Sequence, residues 1–313
     1  MHNRLEEKKI ISVIVATYNR CQNLRNTLDS ILFQDITGDF DFEIIVVDNN
    51  SNDKTKNVIE YYRPKFAGRL KYLFEPRQGK SFALNKGREE AKGEIIAFTD
   101  DDCIVNKDWL KNINEVFKIK NIDVLSGRVE PLFVSPKPRW LNVDKMRGPI
   151  VYHHLSDVYI ENDKKKVRTC GSNLSIKRNS FYKFGGFTYF GRGQDSELGN
   201  RWAKLGAKIA YDPNPVVYHY TPASRLTKNY FRKWYFLCGK HNSMFDREEY
   251  TQGRCFLWIP LWIYKKLLMS ILSFLKSLKL SKSEIFSNEI WFWFTLGEIC
   301  GCLGFKKLLE DLR

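Results

Sequence analysis

"EIIAFTDDDC", residues 94–103, joins a short apolar run to three consecutive carboxylates, Asp100, Asp101 and Asp102. The apolar part is brief and follows Gly93, which reads as a strand buried on both faces. Adjacent like charges repel and shift one another's pKa, so a bound cation, basic side chains or water must balance them. Three similar runs precede it. "ISVIVATY" (residues 11–18), "FEIIVVDNNSND" (42–53) and "LKYLFEP" (70–76) are apolar, rich in β-branched residues and closed by polar ones. Between them lie helical patterns: Leu24, Leu28, Ile31 and Leu32 share a face, and "KSFALNKGREEAK" reads as a helix closed by Gly93. Asn19 and Asp53 are placed to cap the first two helices. Strand and helix in succession predict an α/β fold with a mostly parallel central sheet flanked by helices. The aspartates then sit just past the carboxyl end of a parallel strand, where open α/β sheets bind ligands. Thr17-Tyr18-Asn19 and Asp48-Asn49-Asn50 gather at the same edge and line a cleft.

Beyond Asn121 the pattern loosens, and "LFVSPKPRWLNVD" and "ENDKKKVR" read as loops. Regular signals return at "TCGSNLSIKRNSFYKFGGF" and at "GRGQDSELGNRWAKLG", whose Leu198, Trp202 and Leu205 suit one helical face. "AKIAYDPNPVVYHY" reads as two short strands. No internal repeat or low-complexity block is present.

With 313 residues, 43% hydrophobic and 28% charged, the chain is globular, of a length for one large domain or a domain with an appendage. The net charge of +15 calls for an anionic partner. The seven cysteines are scattered without a C-x-x-C pair, which favours reduced thiols over a zinc site. The start, "MHNRLEEKKI", lacks the form of a secretory signal, so the expectation is a chain that begins in the cytoplasm.

The character changes after Tyr220. From Arg225 to Lys282 there are twelve Lys or Arg against three Asp or Glu, interleaved with aromatics. "CFLWIPLWIYKKLLMSILSFL" is interrupted by Pro260 and the Lys265-Lys266 pair, and "IWFWFTLGEICGCLG" contains Glu298. A span needs ~20 apolar residues, so both read as interfacial helices with Trp at headgroup level and Lys toward anionic lipid. A helical cap on the core, or a tilted or re-entrant span, are the alternatives. The expected organisation is residues 1–222 as the α/β domain and 223–313 as a basic, aromatic-rich helical region.

"SVIVATYNR", "IIVVDNNSND", "QGKSFALNKGREEAKGEIIAFTDDD", "GSNLSIKR" and "GRGQDSELGNRWAKLG" occur in the order of family 2 glycosyltransferases, which this chain resembles over roughly residues 10 to 222. The resemblance implies the GT-A fold and an inverting transfer of a sugar from a nucleotide-diphosphate donor, with UDP-sugars the expected class. It implies that Asp100 faces the ribose, that Asp101 assists, and that Asp102 holds a divalent metal, Mg²⁺ or Mn²⁺, against the diphosphate. Ala16, Thr17, Tyr18, Asn19 and Asp48 would contact the nucleotide, and Lys80 the diphosphate or base. Asp195 corresponds to the general base that takes the acceptor proton. The family usually has Glu-Asp there, whereas this chain has Gln194-Asp195, with Glu197 a substitute two residues on. That departure bears on acceptor contacts. Gly171, Ser172 and Asn173 would border the donor sugar and acceptor, and His219 stands where many GT-A enzymes carry a metal-binding histidine.

Taken together, these features imply a transferase at the cytoplasmic face of the membrane, peripheral or monotopic, acting on a lipid-linked or polysaccharide acceptor in cell-surface polysaccharide synthesis. Its partners would be the donor, the glycan or lipid-linked acceptor and an anionic membrane, with no nucleic acid. A degenerate transferase that binds donor without turnover is the main alternative. A basic nucleic-acid-binding protein would share the charge and aromatics, but no helix-turn-helix, RNA-recognition or zinc pattern appears. An NAD or ATP protein fails for want of G-x-G-x-x-G after the first strand, and neither Gly79-Lys80 nor Gly239-Lys240 has the earlier Gly of a P-loop.

Overall fold

The computed structural model describes residues 9–161, 167–188, 193–245, 250 and 254–304. It divides into two compact units, residues 1–132 with 153–220, and residues 133–152 with 221–313. The "ENDKKKVR" run and the "GRGQDSEL" loop fall partly outside the described residues.

The first unit is built on one mixed sheet. Strands β1 (Lys9–Thr17), β2 (Phe40–Asp48), β3 (Leu70–Phe74) and β4 (Ile95–Asp100) form its parallel half, in the order β3-β2-β1-β4. Strands β5 (Cys103–Val105), β6 (Val124–Phe133), β7 (Ile160–Glu161), β8 (Leu174–Lys177) and β9 (Ile209–Thr221) extend it as β4-β8-β6-β9-β5, with β7 on β9. The pairs β4–β8, β6–β8, β5–β9 and β7–β9 are antiparallel. The sheet is therefore not mostly parallel: strict strand–helix alternation stops after β4, and the later strands need no helical crossover.

Alternation along the strands divides the core. Ile11, Val13 and Val15 face Leu24, Leu28 and Ile31 of α1 (Cys21–Leu32), with α2 (Thr55–Tyr62) and α4 (Trp109–Ile119) on the same side. Ile14, Ile45, Val47, Ile96 and Phe98 pack the other face against α3 (Lys80–Glu90), α5 (Arg178–Phe184) and α6 (Gln194–Lys204). Both faces are covered, which is why these strands read as unbroken apolar runs.

Several local expectations change. Asn19 is not a cap. It takes a left-handed φ of 52° and its side chain accepts the Asn52 N–H at 2.8 Å, while Asp53 accepts the N–H of Cys21, the first residue of α1, at 3.0 Å. Asp53 also accepts from the N–H of Thr55, where α2 begins, at 2.9 Å. Helix α3 ends at Glu90, short of Gly93. Gly93 serves close approach instead: a Cβ there would lie 2.6 Å from the Ile10 carbonyl and the Ser12 nitrogen. Leu205 falls past the end of α6 and is exposed, whereas Leu198 and Trp202 are buried. Residues 209–221 form one strand rather than two, because Ala210 and Tyr211 pair with β7 before the prolines and Val217–His219 with β5 after them.

The second unit contains α7 (Lys228–Phe245), α8 (Leu261–Ser277) and α9 (Lys282–Cys302), with a short hairpin of β10 (Cys255–Phe256) and β11 (Ile259–Pro260). Its main core gathers Leu141, Met146 and Ile150 with Phe231, Tyr235, Phe286 and Ile290. No described helix is long and apolar enough to cross a membrane. No disulfide links the seven cysteines.

Candidate active site

Parallel register sets the floor of the cleft. Thr17 pairs with Asp48, Asp48 with Phe74, and Ala16 with Asp100, so the polar ends of four strands finish level. Asp48 is buried. It accepts the Ser51 N–H at 2.9 Å and the Tyr72 hydroxyl at 3.1 Å, and lone pairs remain on both oxygens. Tyr18 is exposed at this edge. Asn49 ties the rim down: its amide donates to the carbonyls of Glu75 (3.2 Å) and Arg77 (2.6 Å), and its oxygen accepts the Gly79 N–H at 2.9 Å. Gly79, at φ 138°, leads into α3, and that geometry brings Lys80 to Asp100.

The three aspartates have separate partners. Asp100 is held by Lys80 and by the Ser172 hydroxyl at 2.7 Å. Burial opposes its ionisation, but Lys80 and His219 outweigh burial and hold the carboxyl well below the usual aspartate range. Burial likewise opposes the Lys80 charge, yet Asp100, then Asp195 and Asp101, keep its pKa above that of an ordinary lysine. Asp101 accepts the Thr17 hydroxyl at 2.8 Å and an Arg20 N–H at 3.1 Å. Burial pushes the Asp101 carboxyl up to about 6, with Arg20 pulling down and Asp102 pushing up. Arg20 also donates to Asp102 at 2.9 Å, so one guanidinium bridges two members of the triplet.

His219 arrives from the far side of the sheet. Cys103 of β5 pairs with His219 of β9, and the Tyr220 N–H donates to the Asp102 carbonyl at 2.9 Å. Its Nε2 lies 3.3 Å from Asp102 Oδ1 and 3.9 Å from Asp100 Oδ2. Its Nδ1 is 3.1 Å from the Tyr220 carbonyl, which only accepts, so Nδ1 carries a proton. Nε2 is therefore the ring nitrogen turned toward the two carboxylates, so a cation among them would meet an imidazole nitrogen beside two carboxylate oxygens. Ligand atoms of Asp100, Asp102, Cys103 and His219 all lie within 4.8 Å of one another. Burial first, then Asp100 and Asp102, pushes the Cys103 thiol well above its usual value, so it is the weakest ligand of the four. Two carboxylates and an imidazole fit Mg²⁺ or Mn²⁺.

Asp195 lies in the first turn of α6. Its Oδ2 accepts the Gly171 N–H at 2.7 Å, and its carbonyl accepts the Thr169 hydroxyl at 2.6 Å. A Cβ at Gly171 would sit 3.3 Å from the Asp195 Cβ, so the segment runs tight against the carboxylate. Gly171 thus holds Asp195 while the next residue, Ser172, holds Asp100. Gln194 opens the same helix at intermediate exposure.

Two candidates are engaged elsewhere. Asn173 is buried, donates to the Arg128 and Pro215 carbonyls at 2.8 Å each and accepts from Trp109 Nε1 at 2.9 Å, which makes it a strut between strands. Glu197 accepts from Arg201 at 2.7 Å and from Thr188 at 2.9 Å. Asn49, expected at the cleft edge, braces its rim, and two residues that sequence reasoning missed shape the site: Arg20 and Tyr72. Arg20 lay inside a quoted motif, whereas the role of Tyr72 depends on strand register alone.

The profile of glycosyl transferase family 2 matches residues 12–185. Among curated proteins, the chain is 27% identical over 173 residues to the uncharacterized glycosyltransferase alr2836 of a Nostoc strain, covering 55% of this chain and 52% of that one. The chain thus spans about half the length of that relative. It is 24% identical over 232 residues to the succinoglycan biosynthesis protein ExoM of Rhizobium meliloti, covering 74% and 73%. Among solved structures, the mannosyltransferase PcManGT from Pyrobaculum calidifontis, in complex with GDP-Man and Mn²⁺, superposes with a TM-score of 0.65 at 19% identity, covering 96% and 89% of the two chains.

Proposed function

Because the chain belongs to glycosyl transferase family 2, we propose that it is an inverting transferase that moves a sugar from a nucleotide-diphosphate donor to a hydroxyl of a glycan or lipid-linked acceptor. The observation that carries this reading is the coupling of two acidic centres through consecutive residues. Gly171 donates to Asp195 and Ser172 to Asp100, so a prospective base and a prospective diphosphate site are fixed by one short segment.

The chemistry assigned to each residue follows from position. Asp195 takes the proton of the acceptor hydroxyl as that oxygen bonds to the anomeric carbon and the carbon–oxygen bond to the diphosphate breaks. One Asp195 oxygen is already bonded to Gly171, which leaves the other for the acceptor. Asp102, His219 and Asp100 would hold a divalent cation, which supplies positive charge for the leaving diphosphate. Lys80 adds a second positive charge at the same edge. Asp48, Ala16, Thr17, Tyr18 and Asn19 would frame the nucleotide, with a UDP-sugar the first donor to test and a GDP-sugar the next, the latter because the structure of the Pyrobaculum enzyme is a complex with GDP-Man.

Cell-surface polysaccharide synthesis is the setting this reading favours, supported by the likeness to a succinoglycan biosynthesis protein. The net charge of +15 supports work at the cytoplasmic face of a membrane, as a peripheral or monotopic protein.

The test is sugar transfer to lipid-linked and polysaccharide acceptors, with product stereochemistry read by NMR, for wild type and Asp195→Asn. The account expects an inverted anomeric centre and loss of transfer in the variant with donor binding retained. Equal turnover in Asp195→Asn would overturn the assignment. Gln194, where the family usually has Glu, favours a second reading, a protein that binds donor without transfer. Wild type that binds donor tightly but transfers to no acceptor would support it.

A further inference from the structure

Helix α8 is packed inside out. Its best-buried positions are Ile263, Ser270 and Ser277, spaced seven apart, and two of the three are serines. Four of its leucines point outward: Leu261, Leu268, Leu272 and Leu275 lie on one ridge and are 41–56% exposed. A water-facing helix of a globular protein buries the opposite set. Small residues inside and large apolar residues outside is the order found where helices meet lipid. Helices α7 and α9 also meet through small residues, since a Cβ on Gly239 of α7 would meet the Phe294 carbonyl at 2.0 Å, and one on Gly297 of α9 the Phe236 carbonyl at the same distance.

The hairpin before α8 adds an independent observation. Phe256 pairs with Ile259, so the loop is two residues long, and both of them, Leu257 (φ 48°) and Trp258 (φ 65°), are left-handed. Two-residue turns of that kind favour Asn-Gly, because bulky side chains are strained there. This chain instead places two large apolar residues at the tip, 64% and 87% exposed. Backbone strain combined with apolar exposure at one spot is a mark of function rather than of stability.

We propose that the Leu257–Trp258 turn and the outward leucine ridge of α8 form one docking surface for an anionic lipid bilayer. Charge selects that occupant. Residues 254–282 contain six Lys or Arg and no Asp or Glu, and Lys265, Lys276 and Lys279 are exposed beside the ridge. Lys266 is different: it turns inward and bonds Glu298 at 2.7 and 2.8 Å. At 17 residues α8 is ~26 Å long, and with its lysines it lies along the headgroup boundary rather than across the bilayer. This deepens the membrane-surface reading above and rests on it, but is independent of the catalytic assignment.

The test is flotation of the full chain with vesicles of phosphatidylcholine alone or mixed with phosphatidylglycerol, for wild type, Leu257→Asn/Trp258→Gly, and Leu268→Gln/Leu272→Gln. The turn variant introduces the favoured Asn-Gly, so it should melt no lower than wild type yet bind anionic vesicles at least about tenfold more weakly. The ridge variant should lose binding comparably, and wild-type binding should fall with salt. Wild type that ignores all vesicles contradicts the membrane reading itself. Wild type that binds, with both variants binding equally well, overturns this surface alone. Wild type that self-associates in sedimentation without lipid, with the variants monomeric, replaces the bilayer with a second copy of the chain.

Discussion

His219 Nε2 lies 3.3 Å from Asp102 Oδ1, two residues separated by more than a hundred positions and brought together by the pairing of β5 with β9. With Nδ1 turned to the Tyr220 carbonyl, Nε2 is the ring nitrogen that faces the carboxylates. His219→Ala should weaken Mn²⁺-dependent donor binding at least about tenfold, the scale of losses when a metal's surroundings are altered. Titration calorimetry checks this, with donor binding in EDTA as the baseline that the substitution should leave unchanged.

Arg20 is the cation that balances Asp101 and Asp102. Its side chain is nearly half exposed, so the bridge is screened and Arg20→Met should cost only about 1 kcal/mol without metal. Added Mn²⁺ should raise the melting temperature of the variant more than that of wild type, because the ion takes over the missing charge. Thermal unfolding with and without Mn²⁺ reads both effects.

Asn173 separates scaffold from ligand contact. Asn173→Ala strands buried carbonyls and the Trp109 N–H, and should destabilise the fold by about 3 kcal/mol. At temperatures where the variant stays folded, its donor affinity should match wild type. Denaturant unfolding and calorimetry on the same sample decide between the roles.

In the second unit, Glu298 is buried and bonded by Lys266 and by the Tyr250 hydroxyl at 2.6 Å. Glu298→Leu alone leaves Lys266 without its counter-charge and should cost about 3 kcal/mol. Adding Lys266→Met should recover much of that loss. A double-mutant cycle by denaturant unfolding measures the coupling.

The parallel half of the fold was legible because strands covered on both faces must be continuously apolar, and β1, β2 and β4 are. The antiparallel half was not. Pairing there depends on which of several short segments meet, and Pro213 and Pro215 made β9 look like two strands. The carboxylates at the strand ends were visible as residue types, since a triplet of aspartates after a buried run needs a counter-charge. Their partners were less so. Nothing in the sequence around Arg20 singles it out as a partner of distant aspartates, and Tyr72 reaches Asp48 only through the β2–β3 register. Asn173 illustrates the reverse: it stood within a motif but turned inward, because polar residues next to a cleft also satisfy the backbone beneath it.

The most direct test of the central claim is calorimetric binding of UDP- and GDP-sugars, in Mn²⁺ and in EDTA, to wild type and Asp102→Ala. The account predicts metal-dependent binding of one nucleotide class, abolished by EDTA and by the substitution, in protein that remains folded. Binding of equal strength in EDTA, or in Asp102→Ala with Mn²⁺ present, would contradict a metal–diphosphate site at the aspartate triplet.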